Sequence, residues 1–109
     1  MNIQKLLKEA QKAQQKLAKI QEESAKITAE AQAGGGMVKA TANGEGKILS
    51  ITIDPEIVKE GDIEMLQDLI IAAVNASITK AKESVEQKLK GEMQKLTGGL
   101  GLNIPGLGL

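Results

Sequence analysis

The chain has 109 residues, 14 of them lysine and none arginine, balanced by 14 aspartates and glutamates to a formal net charge of zero. It contains no His, Cys, Trp, Tyr or Phe. The length fits one domain. The composition excludes a disulfide framework, a thiolate metal site and an imidazole base. With no global basic excess, any affinity for a polyanion must come from local segregation of charge.

The first predicted element is a long helix from Asn2 to about Ser24. Ile3, Leu6, Ala10, Ala13, Leu17, Ile20, Ser24 and Ile27 recur at steps of three and four, a heptad-like seam. With Ile3 at heptad position a, Lys5, Lys12 and Lys19 stand at c, Lys8 at f and Lys16 at g. These positions are neighbours around a helix, so the five lysines share one arc, interrupted only by Glu9. The b and e flank carries Gln4, Leu7, Gln11, Gln14 and Ala18 and no charge. Lys8, Lys12 and Lys16 follow each other at i, i+4, where like charges repel by roughly 0.2–0.5 kcal/mol per pair. A helix selected for its own stability would place glutamates there, so the ridge points to a polyanion facing it. The alternative use of the same lysines is a solvated coiled-coil flank.

Beyond Ser24, Ile27, Ala29, Ala31 and Ala33 alternate with Thr28, Glu30 and Gln32, while the heptad also reaches Ile27 and Ala31. Periodicity leaves this segment open between helix end and strand. Gly34-Gly35-Gly36 breaks the chain. Met37 to Asn43 reads as a strand with Val38, Ala40 and Ala42 on one face, and Gly44-Glu45-Gly46 as a hairpin turn. Lys47 to Ile53 follows as a strand with Leu49, Ile51 and Ile53 together, ended by Asp54-Pro55.

Residues 54–68 hold Asp54, Glu56, Glu60, Asp62, Glu64 and Asp68 against Lys59 alone. A strand exit followed by a helix start accounts for them, since carboxylates favour the positive end of a helix dipole. Asp62 is the expected N-cap of a second long helix. Its apolar stripe is Leu66, Leu69, Ile70, Ala73, Val74, Ser77, Ile78, Ala81 and Val85, wide enough to cover a sheet. The stripe thins to Leu89, Met93 and Leu96, so the last turns project beyond the sheet. Residues 1–96 then form the domain. Residues 97–109, TGGLGLNIPGLGL, form a Gly/Leu-rich tail without periodicity, expected to be flexible.

Met1 to Ile20 lacks the apolar core of a signal peptide, and no apolar run approaches the ~20 residues that span a bilayer. The expected location is cytoplasmic. A helix of about 22 residues is ~33 Å long, whereas three strands span only about 10–15 Å across the ladder. The first helix therefore overhangs its own sheet. A second copy, covering Ile3, Leu6, Leu17 and Ile20, is the economical way to bury the seam; the alternative is a monomer whose two long helices pack against each other along their lengths.

Several blocks carry a family resemblance. They are Leu6-Leu7-Lys8-Glu9-Ala10-Gln11, the run from Gly36 to Gly44 (GMVKATANG), and Ile51-Thr52-Ile53-Asp54-Pro55. With Glu64-Met65-Leu66-Gln67-Asp68-Leu69-Ile70 and Ala72-Ala73-Val74-Asn75-Ala76, they occur in the order and spacing of the YbaB/EbfC family of bacterial nucleoid-associated proteins, which the chain resembles. The resemblance implies an α+β fold: an α-β-β-β-α protomer with a three-stranded antiparallel sheet and long terminal helices. It also implies an intertwined, tweezer-like homodimer that binds DNA, and it favours a strand for residues 26–33. Family members often carry arginine near the helix ends. This chain has none, so a bidentate arginine grip on guanine is unavailable.

The residues disfavour an enzyme. Ser24, Ser50, Ser77 and Ser84 have no obvious base. Gly46-Lys47 fails as a phosphate loop, because Thr41 stands where glycine is needed and Ile48 where Ser or Thr is needed. Asn75 fits a packing position. No cofactor, metal or small-molecule substrate is expected. Lysines are compact charges that contact phosphates without reading sequence. With no aromatic side chain to stack on bases, the expected nucleic acid is duplex DNA. The second helix supplies a secondary set, Lys80, Lys82, Lys88 and Lys90. Its lysines mostly have a carboxylate within a turn, as Lys82 has Glu86, Glu86 has Lys90, and Glu92 has Lys95. The expected function is chromosome organisation in the nucleoid or modulation of transcription; an interaction adaptor or chaperone-like dimer is the alternative.

Overall fold

The computed structural model describes residues 2–99, of which residues 96–99 are described by their backbone alone. The order is helix α1 (Ile3–Lys26), strands β1 (Thr28–Ala33), β2 (Val38–Asn43) and β3 (Ile48–Ile53), short helix α2 (Pro55–Lys59) and helix α3 (Ile63–Gly99). The three strands form one antiparallel sheet in the order β1-β2-β3. This is the expected α-β-β-β-α arrangement. The segment that periodicity left open is divided: helix runs to Lys26 and strand begins at Thr28. The expected tail begins inside α3, which continues to Gly99, and residues 100–109 lie outside the described part.

Each boundary has a local cause. The Asn2 side chain accepts from Gln4 N and starts α1. Gly34, Gly35 and Gly36 all take positive φ (64°, 68° and 93°), which lets β1 turn directly into β2. Asp54 Oδ1 accepts from Glu56 N at 2.9 Å with Pro55 at the first helical position, so Asp54-Pro55 both ends β3 and begins α2. The sequence reading had missed α2. Asp62 Oδ1 accepts from Met65 N at 3.0 Å and caps α3 as expected. Two of the six acidic residues in 54–68 are thus N-caps, and Glu56 and Glu64 occupy first turns.

β3 differs from the expected alternation. Val38 pairs with Ile53 and Ala40 with Ile51, but Ala42 pairs with Ile48, because the register shifts at Thr41/Ala42. Leu49 is the extra residue of a bulge, and Ile48 takes its place in the inward row with Ile51 and Ile53.

α3 lies across β1 and β2 and barely reaches β3. Its predicted stripe faces the sheet, with Ala73, Ser77 and Ala81 fully buried. Small residues answer it: Ala29 and Ala42 meet Ala81, while Val38 and Ala40 meet Ala73. With no aromatic side chain available, helix and sheet approach closely, and the largest fully buried side chains are only Val38 and Ser77. The buried Ser77 hydroxyl is satisfied by donating to Val74 O. Such a core buries little apolar area per residue. Meanwhile Leu49 and Ile51 on the uncovered strand remain 51% and 45% exposed.

Candidate nucleic-acid interface

α1 is an arm about 36 Å long, attached at its C-terminal end. Gly44 N, in the β2–β3 turn, lies 3.0 Å from Ser24 O and 2.9 Å from Ile27 O. One backbone donor therefore bridges two carbonyls at the end of α1, Ser24 O also accepting from Ile27 N at 3.2 Å. A Cβ at Gly44 would stand 2.4 Å from Val85 Cγ2 and 2.6 Å from Ser24 O, so this junction closes only on glycine. Ser24 is buried there, its hydroxyl donating to Ile20 O at 2.8 Å.

From that anchor the arm runs outward, and the molecule is 69 Å long but only 27 and 17 Å across. Lys5, Lys8, Lys12, Lys16 and Lys19 are all exposed. The first turn of α1 holds no acidic residue, so Lys5 stands at the positive end of the helix dipole with no carboxylate in the same turn. Both this placement and the i, i+4 ladder oppose helix stability.

The arc is not uniform. Lys16 and Lys19 line a groove of about 400 Å³ between α1 and the C-terminal half of α3, together with Ile20, Glu23, Leu89, Glu92 and Met93. Lys88 Nζ forms an ion pair with Glu23 Oε2 at 3.5 Å across the neighbouring part of the same junction. The inner end of the ridge thus shares its surroundings with two carboxylates. Lys5, Lys8 and Lys12 are on the outer part of the arm.

The second-helix lysines are dispersed. Lys80 Nζ donates to Glu30 O at 3.1 Å, laying its charge on the open edge of β1. Lys88 is held by Glu23, Lys82 has its aliphatic stem against Gly46, and Lys90 is exposed. Among the described residues, the ion pair of Lys88 crosses between helices rather than running along α3. Sequence reasoning offered packing of the two long helices only as an alternative to the dimer and did not place this α1–α3 junction. Its signal was Val85, Leu89 and Met93 at i, i+4, beyond the length needed to cover the sheet.

The apolar seam is divided in the same way. Ile3, Leu6 and Leu17 are 69%, 50% and 60% exposed, and Leu7 is 60% exposed beside them. Ile20 is half-buried, turned into the groove with Leu89 and Met93. Among the described residues no helix is long and apolar enough to cross a membrane.

Comparison with known proteins agrees with this architecture. The model of the YbaB/EbfC DNA-binding family matches residues 1–100. A nucleoid-associated protein of Thermoanaerobacter pseudethanolicus is 49% identical over 97% of this chain and 90% of its own length. That of Desulforamulus reducens is 53% identical over 97% and 95%. That of Acetivibrio thermocellus is 52% identical over 97% and 89%. In fold, the chain is similar to an uncharacterized protein of Helicobacter pylori, with a TM-score of 0.70 at 22% identity, covering 85% of this chain and 97% of the other. The chain belongs to the YbaB/EbfC DNA-binding family.

Proposed function

We propose that this protein binds duplex DNA through the lysine ridge of α1, with little sequence preference, and thereby organises the chromosome and modulates transcription at the sites it covers. The observation that carries the reading is one exposed arc of five lysines on an arm projecting from the body, kept against both the like-charge and the dipole cost. Lysine contacts to phosphate supply affinity without base readout, and the absence of arginine and aromatic residues removes the usual means of reading or stacking on bases. The same composition supports a binding protein rather than an enzyme, working in the cytoplasm on the nucleoid.

The working unit in this proposal is a homodimer. Exposed Ile3, Leu6, Leu7 and Leu17 on the arm, with Leu49 and Ile51 on β3, supply apolar surface out of proportion to the small core. A second copy would bury this surface and present two ridges to one duplex.

The purified protein tests the reading directly. Having no Trp, Tyr or Phe, it contributes almost no near-ultraviolet band of its own. Protein prepared at low salt should carry a 260 nm band that high salt removes, and the stripped protein should retard unrelated duplexes alike. A stripped, folded protein that retards no duplex would leave an adaptor role through its apolar surface.

A further inference from the structure

The two edges of the sheet differ. β3 is interrupted by the bulge at Leu49 and ended by Asp54-Pro55, two features that oppose the addition of another strand. β1 has neither. Its register with β2 runs unbroken from Thr28 opposite Asn43 to Ala33 opposite Val38, and its sequence, TAEAQA, holds no lysine or proline. Lys80 Nζ reaches Glu30 O from α3, so that carbonyl points away from β2. By strand alternation the backbone groups of Thr28, Glu30 and Gln32 face outward, while those of Ala29, Ala31 and Ala33 face β2. Beside this edge lies a cleft of about 550 Å³, bounded by the strand and by Lys80 and Ser84 of α3. On the side facing α3, Ala29 and Ala31 fill it with methyl groups alone.

We propose that the β1 edge takes an extended peptide of another protein as a fourth strand, with Lys80 selecting a carboxylate on it. Among the described residues Lys80 forms no ion pair; its partner is a neutral carbonyl. A strand laid antiparallel along β1 claims Glu30 O for its own backbone amide and turns the ammonium toward the incoming side chains. Residues of that strand opposite Ala29 and Ala31 face α3, so a carboxylate at either position meets Lys80. The residue opposite Glu30 lies on the other face of the sheet, where a cation is favoured beside the exposed glutamate. The same two charges reject a second copy of β1. Antiparallel pairing of β1 with itself would bring two Glu30 carboxylates together on one face and two Lys80 ammonium groups together on the other. The segment that fits is therefore extended, with carboxylates facing α3 on either side of a lysine or arginine facing away. The site lies on the sheet edge, apart from Lys5, Lys8 and Lys12, and does not depend on what those lysines bind.

The probe is the end-blocked peptide Thr-Glu-Lys-Glu-Thr, titrated into the isotope-labelled full-length protein and followed through its backbone amide signals. Shifts should centre on Thr28, Glu30 and Gln32, and exchange of these three amides with solvent should slow, while β3 amides stay unchanged. Lys80 is exposed, so Lys80→Glu leaves the fold intact. That variant should bind the peptide more weakly by about fivefold or more, the attraction of one exposed pair having become repulsion. It should instead bind Thr-Lys-Lys-Lys-Thr, which the unaltered protein binds more weakly than the first peptide. Absence of β1 shifts up to the solubility limit of the peptide, shifts centred elsewhere, or equal binding of both peptides by the unaltered protein overturns the proposal. Without peptide, contacts between the β1 strands of labelled and unlabelled copies would assign the edge to a second copy and overturn it equally.

Discussion

Replacing Lys8, Lys12 and Lys16 by glutamine separates the helix-stability role of the ridge from its role in binding. Glutamine has nearly the helix propensity of lysine, so the backbone preference is unchanged. The substitution removes two like-charge i, i+4 pairs, for a gain of about 0.4–1 kcal/mol in arm stability. All three side chains are exposed, so no packing is lost. On duplex DNA each phosphate contact contributes a log–log salt slope of about −0.9, equivalent to about fivefold in affinity near 0.15 M salt. If all three lysines contact phosphate, each protomer loses roughly a hundredfold and the slope flattens by nearly three. If Lys16 is occupied by its glutamate neighbours instead, the loss falls to about twenty-fivefold and the flattening to about two. The assay is fluorescence anisotropy on two unrelated duplexes at four salt concentrations, with far-ultraviolet circular dichroism to confirm the helix. Unchanged affinity and slope in a folded variant would refute the ridge as the binding surface. A loss confined to one duplex would show that these lysines read bases.

Three further variants test neighbouring features of the protein. Leu6→Lys with Leu17→Lys alters exposed positions that avoid the α1–α3 groove, so the protomer should stay folded while sedimentation shows the monomer; an unchanged dimer would remove the seam from the interface. Gly44→Ala places a methyl 2.4 Å from Val85 Cγ2 and 2.6 Å from a backbone carbonyl, and should cost about 1–3 kcal/mol in urea unfolding, whereas an unshifted midpoint would contradict the closeness of that junction. Glu92→Gln removes a carboxylate bordering the groove with Lys16 and Lys19 and should raise DNA affinity by about two- to threefold at low salt; no change would mean the inner lysines do not bind.

Much of the fold was legible because its two periodicities are clean. The α3 stripe and the Val38, Ala40, Ala42 row each point at the other, and the caps at Asn2 and Asp62 carry side chains suited to the task. Legibility failed where one residue served two elements or where pairing was non-local. Asp54-Pro55 is both strand terminator and helix cap, and only the second use reveals α2. The bulge at Leu49 is invisible in β3 alone, because alternation assigns Leu49, Ile51 and Ile53 one face until the partner strand sets the register. At the candidate site the lysine arc follows from helix geometry. That its inner end faces Glu23 and Glu92 depends on how α1 leaves the sheet, a tertiary angle no local pattern encodes.

That angle is set at a single point of close packing. Gly44 N reaches two carbonyls at the end of α1, and Val85 closes over the same glycine from α3, so the arm, the hairpin and the long helix meet within one turn. Lys88 to Glu23 adds an exposed ion pair of small energetic weight beside it. Everything beyond Ile20 toward the N-terminus is exposed and contributes little to the protomer's own core. Substitutions on the arm therefore separate from stability, which is why a lysine ladder unfavourable to an isolated helix can persist there. By the same reasoning, changes at Gly44 should alter the arm's direction and the body's stability together, while changes at Lys5, Lys8 or Lys12 should act on binding and on the arm's own helix and leave the body's stability unchanged.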